Sequence, residues 1–391
     1  LYDVIVIGGG PSGLNCAYRL SQVGLNVIVL DNRPQIGKDR ICTGILGTEA
    51  FKRFDLSQES VLSAIDRVTI VSPRGSYIEY RHPSTLAYVV DRERFDAHIA
   101  NLARSEGASI KLNTRVINIT TDEKGISVTA KNNEDSLITY SARIGILATG
   151  INLGLHKTLG LGLPKDFLYG VNAHVKIEGL DSTMVYIGNS LAPGAFAWAV
   201  PVNSGWVRIG LMTKEHPKSY FHRFCRILLS RRNGSFKMIS VGYKPIAQGL
   251  VSKTYSNRVI ALGEAAGQIK TTTGGGIYYG LLCSEIAAHV ISQAFSKNSF
   301  DENTLSEYER LWQREIGKEI KVGYYMRKIY SRLPDWQIEQ LFNIVKKNGI
   351  LEMIGKRIRF DWHSELLLSL VYTTPIGRIL GINTTKQVKV G

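Results

Sequence analysis

The stretch Leu1-Tyr2-Asp3-Val4-Ile5-Val6-Ile7-Gly8-Gly9-Gly10-Pro11-Ser12-Gly13 decides how the rest of the chain is read. Asp3–Ile7 is a short apolar run rich in Val and Ile, the pattern of a strand buried on both faces. Gly8, Gly10 and Gly13 then follow with the G-x-G-x-x-G spacing of a turn tight enough for a pyrophosphate to approach the backbone. A helix over about Ser12–Val23 would offer that phosphate the free N–H groups and partial positive charge of its first turn. A second buried strand, Asn26–Leu30, ends at Asp31, placed to accept hydrogen bonds from a ribose hydroxyl. Glycine spacing alone is weak evidence, but strand, turn, helix, strand and acid together predict a dinucleotide site.

Length and composition frame that site. A chain of 391 residues suits two intertwined lobes with a helical extension. Its hydrophobic content of 44% and charged content of 21% are those of a folded globular chain, so disorder is not expected before the last few residues. No apolar run approaches the roughly 20 residues of a spanning helix; Ala287–Phe295 and Leu366–Tyr372 are short and interrupted. The first residues enter a strand at once, so no signal peptide is expected, and thiols are expected rather than disulfides. Cys16, Cys42, Cys225 and Cys283 lack CxxC spacing and the histidines form no ligand cluster, which argues against zinc, iron–sulfur or any other metal. His82, His156 and His174 read as ordinary. The formal charge of +15 favours an anionic contact, a lipid surface or a nucleotide phosphate, although a merely solvated basic surface has the same composition. No nucleic-acid partner is expected.

Beyond Asp31, residues 65–82 read as paired strands broken at Pro73–Gly75, and Asp91–Ser105 carries Phe95, Ile99 and Leu102 at helical spacing. Three strand-like segments precede Gly150. Residues 169–213 alternate as an antiparallel sheet would. Val259–Leu262 is another buried strand, a long helix starts near Gly276, and the chain is helical in pattern from Asp301. The expected fold class is therefore α/β: a Rossmann-type domain interleaved with an antiparallel-sheet domain, plus a helical C-terminal region. The expected boundaries are 1–64, 88–155 and 253–300 for the dinucleotide-binding domain, 65–87 and 156–252 for the substrate domain, and 301–391 for the helical region.

NAD and FAD both fit the first motif, and a second cluster decides between them. Val259–Leu262 ends in Gly263-Glu264-Ala265-Ala266-Gly267, followed by Thr273-Gly274-Gly275-Gly276-Ile277 at a helix start. An acid at such a turn can bind ribityl hydroxyls, and a helix N-terminus can stabilise negative charge on a reduced flavin. A simple NAD dehydrogenase needs neither. No second G-x-G-x-x-G unit follows, so the electron donor would be external, either NAD(P)H docking transiently or a protein such as a reduced ferredoxin.

The motifs GGGPSG, VDRERFD (Val90–Asp96), LATG (Leu147–Gly150), GEAAG and TTTGGGIYYG resemble the flavoprotein group related to p-hydroxybenzoate hydroxylase, and within it the geranylgeranyl reductase family. The resemblance covers most of residues 1–300. It implies FAD phosphate contacts from Arg92 and places Gly150 where the chain passes the cofactor. It assigns further cofactor contacts to Pro11, Ser12, Arg40, Val116, Thr149 and Ile277. The family usually has Gly-Asp where this chain has Gly263-Glu264, which implies a longer or water-bridged ribityl contact. Arg40–Ile45 resembles the family's cysteine–glycine segment, which puts Cys42 near flavin and substrate as catalytic candidate. Phe196–Pro201 resembles its YxWxFP cavity segment, with Phe for Tyr and Val for Phe, so Phe196, Trp198, Pro201 and Tyr278 are expected to touch substrate. On local chemistry, Cys42 lies in a Gly-rich loop flanked by Lys38 and Arg40, a setting that activates thiols, while a small apolar filler would also suit that loop. Cys16, Cys225 and Cys283 read as packing residues.

The resemblance implies hydride transfer from reduced FAD to C=C bonds of a polyprenyl, geranylgeranyl-type lipid or another apolar small molecule. The competing readings are a flavin monooxygenase or halogenase acting on an aromatic or fused-ring substrate, the latter partly echoed by FAWAVP, and a non-enzymatic lipid-binding or electron-relay flavoprotein. Residues 341–391 place Lys346, Lys347, Lys356, Arg357, Arg359, Arg378, Lys386 and Lys389 against Glu352, Asp361 and Glu365, beside the apolar stretches Leu351–Ile358 and Leu366–Tyr372. That composition suits either an interfacial segment on an anionic membrane or a helical cap with a solvated basic face. The chain is expected in the cytoplasm, either free or peripheral on the inner face of the membrane.

Overall fold

The computed structural model describes residues 1–203, 205–230, 236–347 and 350–380. Its centre is a parallel sheet in which the strands at 109–111, 27–30, 2–7, 137–147 and 259–261 lie side by side. Alternation sorts their apolar residues to two faces. Val4, Val6, Val27, Val29, Ile144, Ile146 and Ile260 face the helices Pro11–Gln22, Arg92–Ser105 and Ile277–Lys297. Ile5, Ile7, Ile28, Leu30, Leu147 and Val259 face the other way, against Ile119, Ile126 and Val128 of the antiparallel ribbon Arg115–Thr121 and Ile126–Lys131. Burial on both faces is why these strands read as continuous Val/Ile runs.

A second sheet of seven strands runs in the order 237–248, 166–176, 206–213, 196–203, 183–187, 67–71, 77–81. The antiparallel expectation needs one correction: Thr183–Ile187 pairs with Arg67–Val71 in parallel. The connection between them passes through the first sheet and back, and a connection that long permits parallel pairing where a hairpin would not. One face packs Val171, Ala173, Ala197, Ala199, Ile209 and Leu211 under the helix Pro217–Ser230. The opposite face, carrying Phe196, Trp198 and Met212, turns toward the nucleotide lobe. A three-stranded sheet (Ile45–Gly47, Ala87–Val90, Val61–Ile65) bridges the two lobes, with Ile65, Ala87 and Val89 packed on Val200 and Val202.

The C-terminal region is continuous with the core. Leu305, Tyr308, Trp312, Ile316 and Ile320 are fully buried at helical spacing, along Glu302–Trp312, a π turn at Gln313–Gly317 and Lys318–Tyr330. The helices Asp335–Lys347, Ile350–Arg357, Ser364–Thr373 and Ile376–Ile379 complete the described chain. Of the basic residues noted in 341–391, Lys346 lies over the Tyr77 ring, and Arg359 pairs with Glu49 and covers Trp362. The side chains of Lys347, Lys356, Arg357 and Arg378, and the whole of Lys386 and Lys389, lie outside the described residues. No described helix is long and apolar enough to cross a membrane.

Candidate active site

The glycine turn opens the first helix at Gly10, which has no side chain to cap it, so the free amides of the first turn are left without a side-chain partner. A Cβ on Gly10 would meet nothing within 4 Å. A Cβ on Gly8 (φ +112°) would fall on the Ala148 carbonyl, and one on Gly13 on the Gly8 carbonyl. The turn is thus clenched on its inner side and open outward, a cradle of amides that fits a pyrophosphate. Asp31 anchors it: Oδ2 accepts from Gly9 N at 2.6 Å and Oδ1 from Arg33 N at 2.8 Å. Both oxygens of the expected ribose acceptor therefore already hold the backbone. Arg40 donates to the Gly9 carbonyl at 3.2 Å and lies 3.4 Å from Asp96. Arg92, expected at the phosphates, is clamped to Asp96 by two hydrogen bonds of 3.0 and 2.9 Å. Pro11 and Ser12 begin the helix, and the Ser12 hydroxyl lies where a Cβ on Gly263 or Gly280 would have to go. Val116 sits on the ribbon packed against the sheet's other face.

At the far end, Gly263–Ala266 form a short 3-10 turn, and the helix Ile277–Lys297 begins at Gly276 without a side-chain cap. Gly263 N donates to Gln268 Oε1 at 2.7 Å, and Gln268 donates to the Tyr308 hydroxyl, which donates to the Ala261 carbonyl. Gly150 faces Glu264, whose carboxylate takes a 2.8 Å hydrogen bond from Lys244 of the second sheet. Thr149 donates to the Asn152 carbonyl at 2.7 Å. Gly274, Gly275 and Gly276 fold tightly over Met212, Lys270 and Ile269 respectively. The structure thus brings Gly8–Gly13, Gly150, Gly263, Glu264 and Gly274–Ile277 around one edge of the first sheet, and the chemistry of that set fits FAD. It places Tyr278 elsewhere: the ring is buried edge-on to Trp362, and its hydroxyl donates to Glu49 at 2.6 Å.

The second sheet supplies the facing wall. Phe196 and Trp198 lie 5.7 Å apart in one apolar cluster with Leu168, Met212, Ile246 and Ile269. Glycines make this wall possible: a Cβ on Gly210 would strike Trp198, one on Gly170 Ile246, and one on Gly242 Ile41. Alternation assigns Pro201 to the opposite face, with Ala197 and Ala199.

Cys42 lies half-buried in the loop opposite this wall, its Sγ accepting from Gly44 N at 3.3 Å. Arg92 and Arg208 both reach this loop, their side chains lying beside Gly44. Arg208 was not singled out by the sequence, although a charged residue at an inward strand position between Val207 and Ile209 is the signal that could have found it. It is buried and donates to Thr43 O (2.7 Å), Val90 O (2.9 Å) and His174 Nε2 (2.8 Å). Asn172 adds a bond to the Thr43 hydroxyl at 2.7 Å. Gly44 (φ +70°) has no room for a side chain because Arg208 and the Val90 carbonyl occupy it. His174, read as ordinary, is held neutral: burial lowers its pKa, and the Arg208 cation lowers it further.

The sequence also missed a clasp behind the glycine loop. Lys270 and Asp361, with side chains 6% and 1% exposed, form a 2.6 Å ion pair. Thr272 donates to His363 Nδ1 at 2.7 Å while Nε2 donates to Phe360 O at 3.0 Å, and Glu319 accepts from the amides of His363 and Ser364. Tyr279 donates to Asp361 O at 2.9 Å. Cys16, Cys225 and Cys283 are buried packing residues on helices, and no metal-binding cluster exists among the described residues.

Comparison with known proteins agrees with this geometry. Residues 3–152 match the family of FAD dependent oxidoreductases. The chain is 28% identical over 384 residues to digeranylgeranylglycerophospholipid reductase 2 of Methanothermobacter thermautotrophicus, covering 93% of this chain and 98% of that one. A geranylgeranyl bacteriochlorophyll reductase-like protein from Thermoplasma acidophilum shares the fold at TM-score 0.86 and 20% identity, over 97% and 98% of the two chains. Halogenase PltM, solved with FAD, is more distant at TM-score 0.71 and 16% identity, over 97% and 94%. Amide cradle, flavin-end glycine loop and the match over residues 3–152 together make this chain an FAD-dependent oxidoreductase, similar over nearly its whole length to a digeranylgeranylglycerophospholipid reductase and, in fold, to a geranylgeranyl bacteriochlorophyll reductase-like protein.

Proposed function

We propose that the chain saturates C=C bonds of a polyprenyl lipid, taking electrons from an external donor, NAD(P)H or a reduced ferredoxin-like protein, and working peripherally on an anionic membrane. The observation that carries this reading is the apolar, glycine-floored wall of Phe196, Trp198, Met212 and Ile246, facing the Cys42 loop and abutting the flavin-end loop through Ile269. FAD, when bound, supplies the hydride equivalent. The protein's part is to exclude water, align the alkene and deliver one proton to the second carbon. Cys42 is the candidate donor: Arg208 and Asn172 fix its loop through Thr43, and the thiol hydrogen would pass to the alkene carbon as hydride reaches its neighbour. Glu264, Gly274, Gly275 and Gly276 would hold the flavin end, and residues 8–13 the pyrophosphate.

The test is anaerobic. Reduced holoprotein mixed with a polyprenyl glycerolipid should reoxidise with stoichiometric loss of alkene by mass spectrometry, and Cys42→Ser should keep FAD while slowing this step by about 10²-fold. Reoxidation that requires oxygen or halide and leaves the lipid unsaturated would replace this reading with monooxygenation or halogenation.

A further inference from the structure

We propose that the solvent face of the helix Lys318–Tyr330 is the surface on which this protein docks to an anionic lipid bilayer. Lys318, Lys321, Tyr325 and Lys328, with Arg332 in the turn that follows, recur at spacings of three and four and are all exposed. At 3.6 residues per turn they project within an arc of roughly 80°. Tyr325 is 62% exposed, and Trp336, just beyond, is 53% exposed. Glu319, the helix's one carboxylate, is turned inward and accepts from the amides of His363 and Ser364. Arg327 is buried on Asp166. Among the described residues no carboxylate lies within ion-pair distance of Lys318 or Lys321.

A solvated helix face ordinarily mixes signs, because like charges three or four residues apart repel and weaken the helix. Within the helix this face carries cations and no acid, and Glu315, exposed in the turn before it, lies 3.8 Å from Arg314, so an anionic surface would relieve a repulsion already present. The exposed Tyr and Trp, and the half-buried Val322, Met326 and Ile329 beside the stripe, favour a bilayer over an acidic protein. Aromatic rings and lysine stems suit the headgroup boundary, where apolar stem and charged head are both accommodated.

The helix's other side rests on the flavin-end loop. Gly323 has no space for a Cβ, which would lie 2.6 Å from Thr271 Oγ1 and 3.0 Å from Thr272 Cγ2, and Thr271 donates to Ile320 O. One helix diameter, about 10 Å, therefore separates the stripe from that loop. Docking here would bring a membrane-borne polyprenyl chain close to the reaction, and this part of the inference rests on the function proposed above.

The experiment is sedimentation of holoprotein with phosphatidylglycerol-containing vesicles and with pure phosphatidylcholine vesicles, free of polyprenyl lipid, at low and high salt. Wild type should partition onto the anionic vesicles and be released by salt. Lys318→Glu/Lys321→Glu/Lys328→Glu should weaken binding by about 100-fold or more, since each cation near an anionic surface contributes about a factor of five. Tyr325→Ser/Trp336→Ser should weaken it less, by about tenfold, while leaving its salt dependence in place. All five sites are exposed, and retained flavin absorbance would confirm folding. Wild-type binding that is absent, or that ignores these substitutions, overturns the proposal, as does association with acidic soluble proteins but not with vesicles. Turnover of detergent-dispersed polyprenyl lipid, which both variants should retain, separates the two claims: its absence in wild type refutes the substrate, while the vesicle result still decides the docking face.

Discussion

A methyl group added at Gly10 would meet no atom within 4 Å, whereas at Gly8 it would fall on backbone. The two glycines therefore serve different ends, which substitution can separate. Gly10 has an ordinary φ of −89°, so Gly10→Val should fold with near wild-type Tm in the absence of flavin, yet bind FAD at least 100-fold more weakly because its branches fill the cradle. Gly8→Ala must place a side chain at φ +112° against the Ala148 carbonyl and should destabilise the apoprotein itself. Flavin titration and thermal melts of the two variants check both outcomes. This motif was legible because its meaning is local: spacing, strand and helix lie within some thirty residues. Arg208 was not, because it acts on Thr43 and Val90, far away in sequence, and only strand register brings them together. Asp31 was legible as an acid at the right place, but its hold on Gly9 N depends on a loop geometry no pattern encodes.

At the scale of elements, the flavin-end loop is held from behind by a segment some 90 residues downstream, through Lys270–Asp361, Thr272–His363 and Tyr279–Asp361. A buried ion pair contributes little net stability, but breaking one partner leaves an uncompensated charge, costing about 3–5 kcal/mol. Asp361→Asn and Lys270→Met should each lower stability by about that much and loosen FAD, because the loop from Lys270 to Gly275 closes on itself beside the pair: Lys270 N donates to Gly275 O at 2.9 Å, and Gly274 N to Lys270 O at 2.7 Å. Lys270→Met/Asp361→Leu should recover much of the loss. Denaturant melts with and without FAD measure this, and a double variant as unstable as either single one would show that the pair's geometry rather than its charge matters. The strands and helices themselves were legible from periodicity, and the apolar stretches of 341–391 from composition. The clasp was not, since Asp361-Trp362-His363 has no pattern of its own and gains meaning only against Lys270, Glu49 and Thr272.

For the whole molecule, the C-terminal region is attached in two ways that differ in chemistry. Leu305 through Ile320 are fastened by apolar burial, which is indifferent to pH, whereas the helices beyond Phe360 are fastened partly by polar groups around His363. Burial pushes the His363 pKa down to about 4, with Lys270 adding to the effect and Glu319 and Asp361 opposing it. In the folded protein the ring is neutral, accepting from Thr272 and donating to Phe360 O. The unfolded chain, with an ordinary value of about 6.5, binds the proton more readily, so stability must fall as pH drops from about 6.5 to about 4 and level off on either side. The full shift corresponds to about 3 kcal/mol, reduced somewhat because the ring is not wholly enclosed. His363→Gln keeps a donor and an acceptor but cannot titrate. Between neutral pH and pH 4.5 the wild-type Tm should therefore fall further than that of His363→Gln, by roughly 5 °C for a chain of this size. Other carboxylates titrate in both proteins and cancel in the comparison. Limited proteolysis across the same range should cut wild type first near residues 359–364, releasing the terminal helices while the Leu305–Ile320 stripe and the parallel sheet stay protected. Equal pH dependence in the two proteins would show that the clasp opens for a reason other than His363.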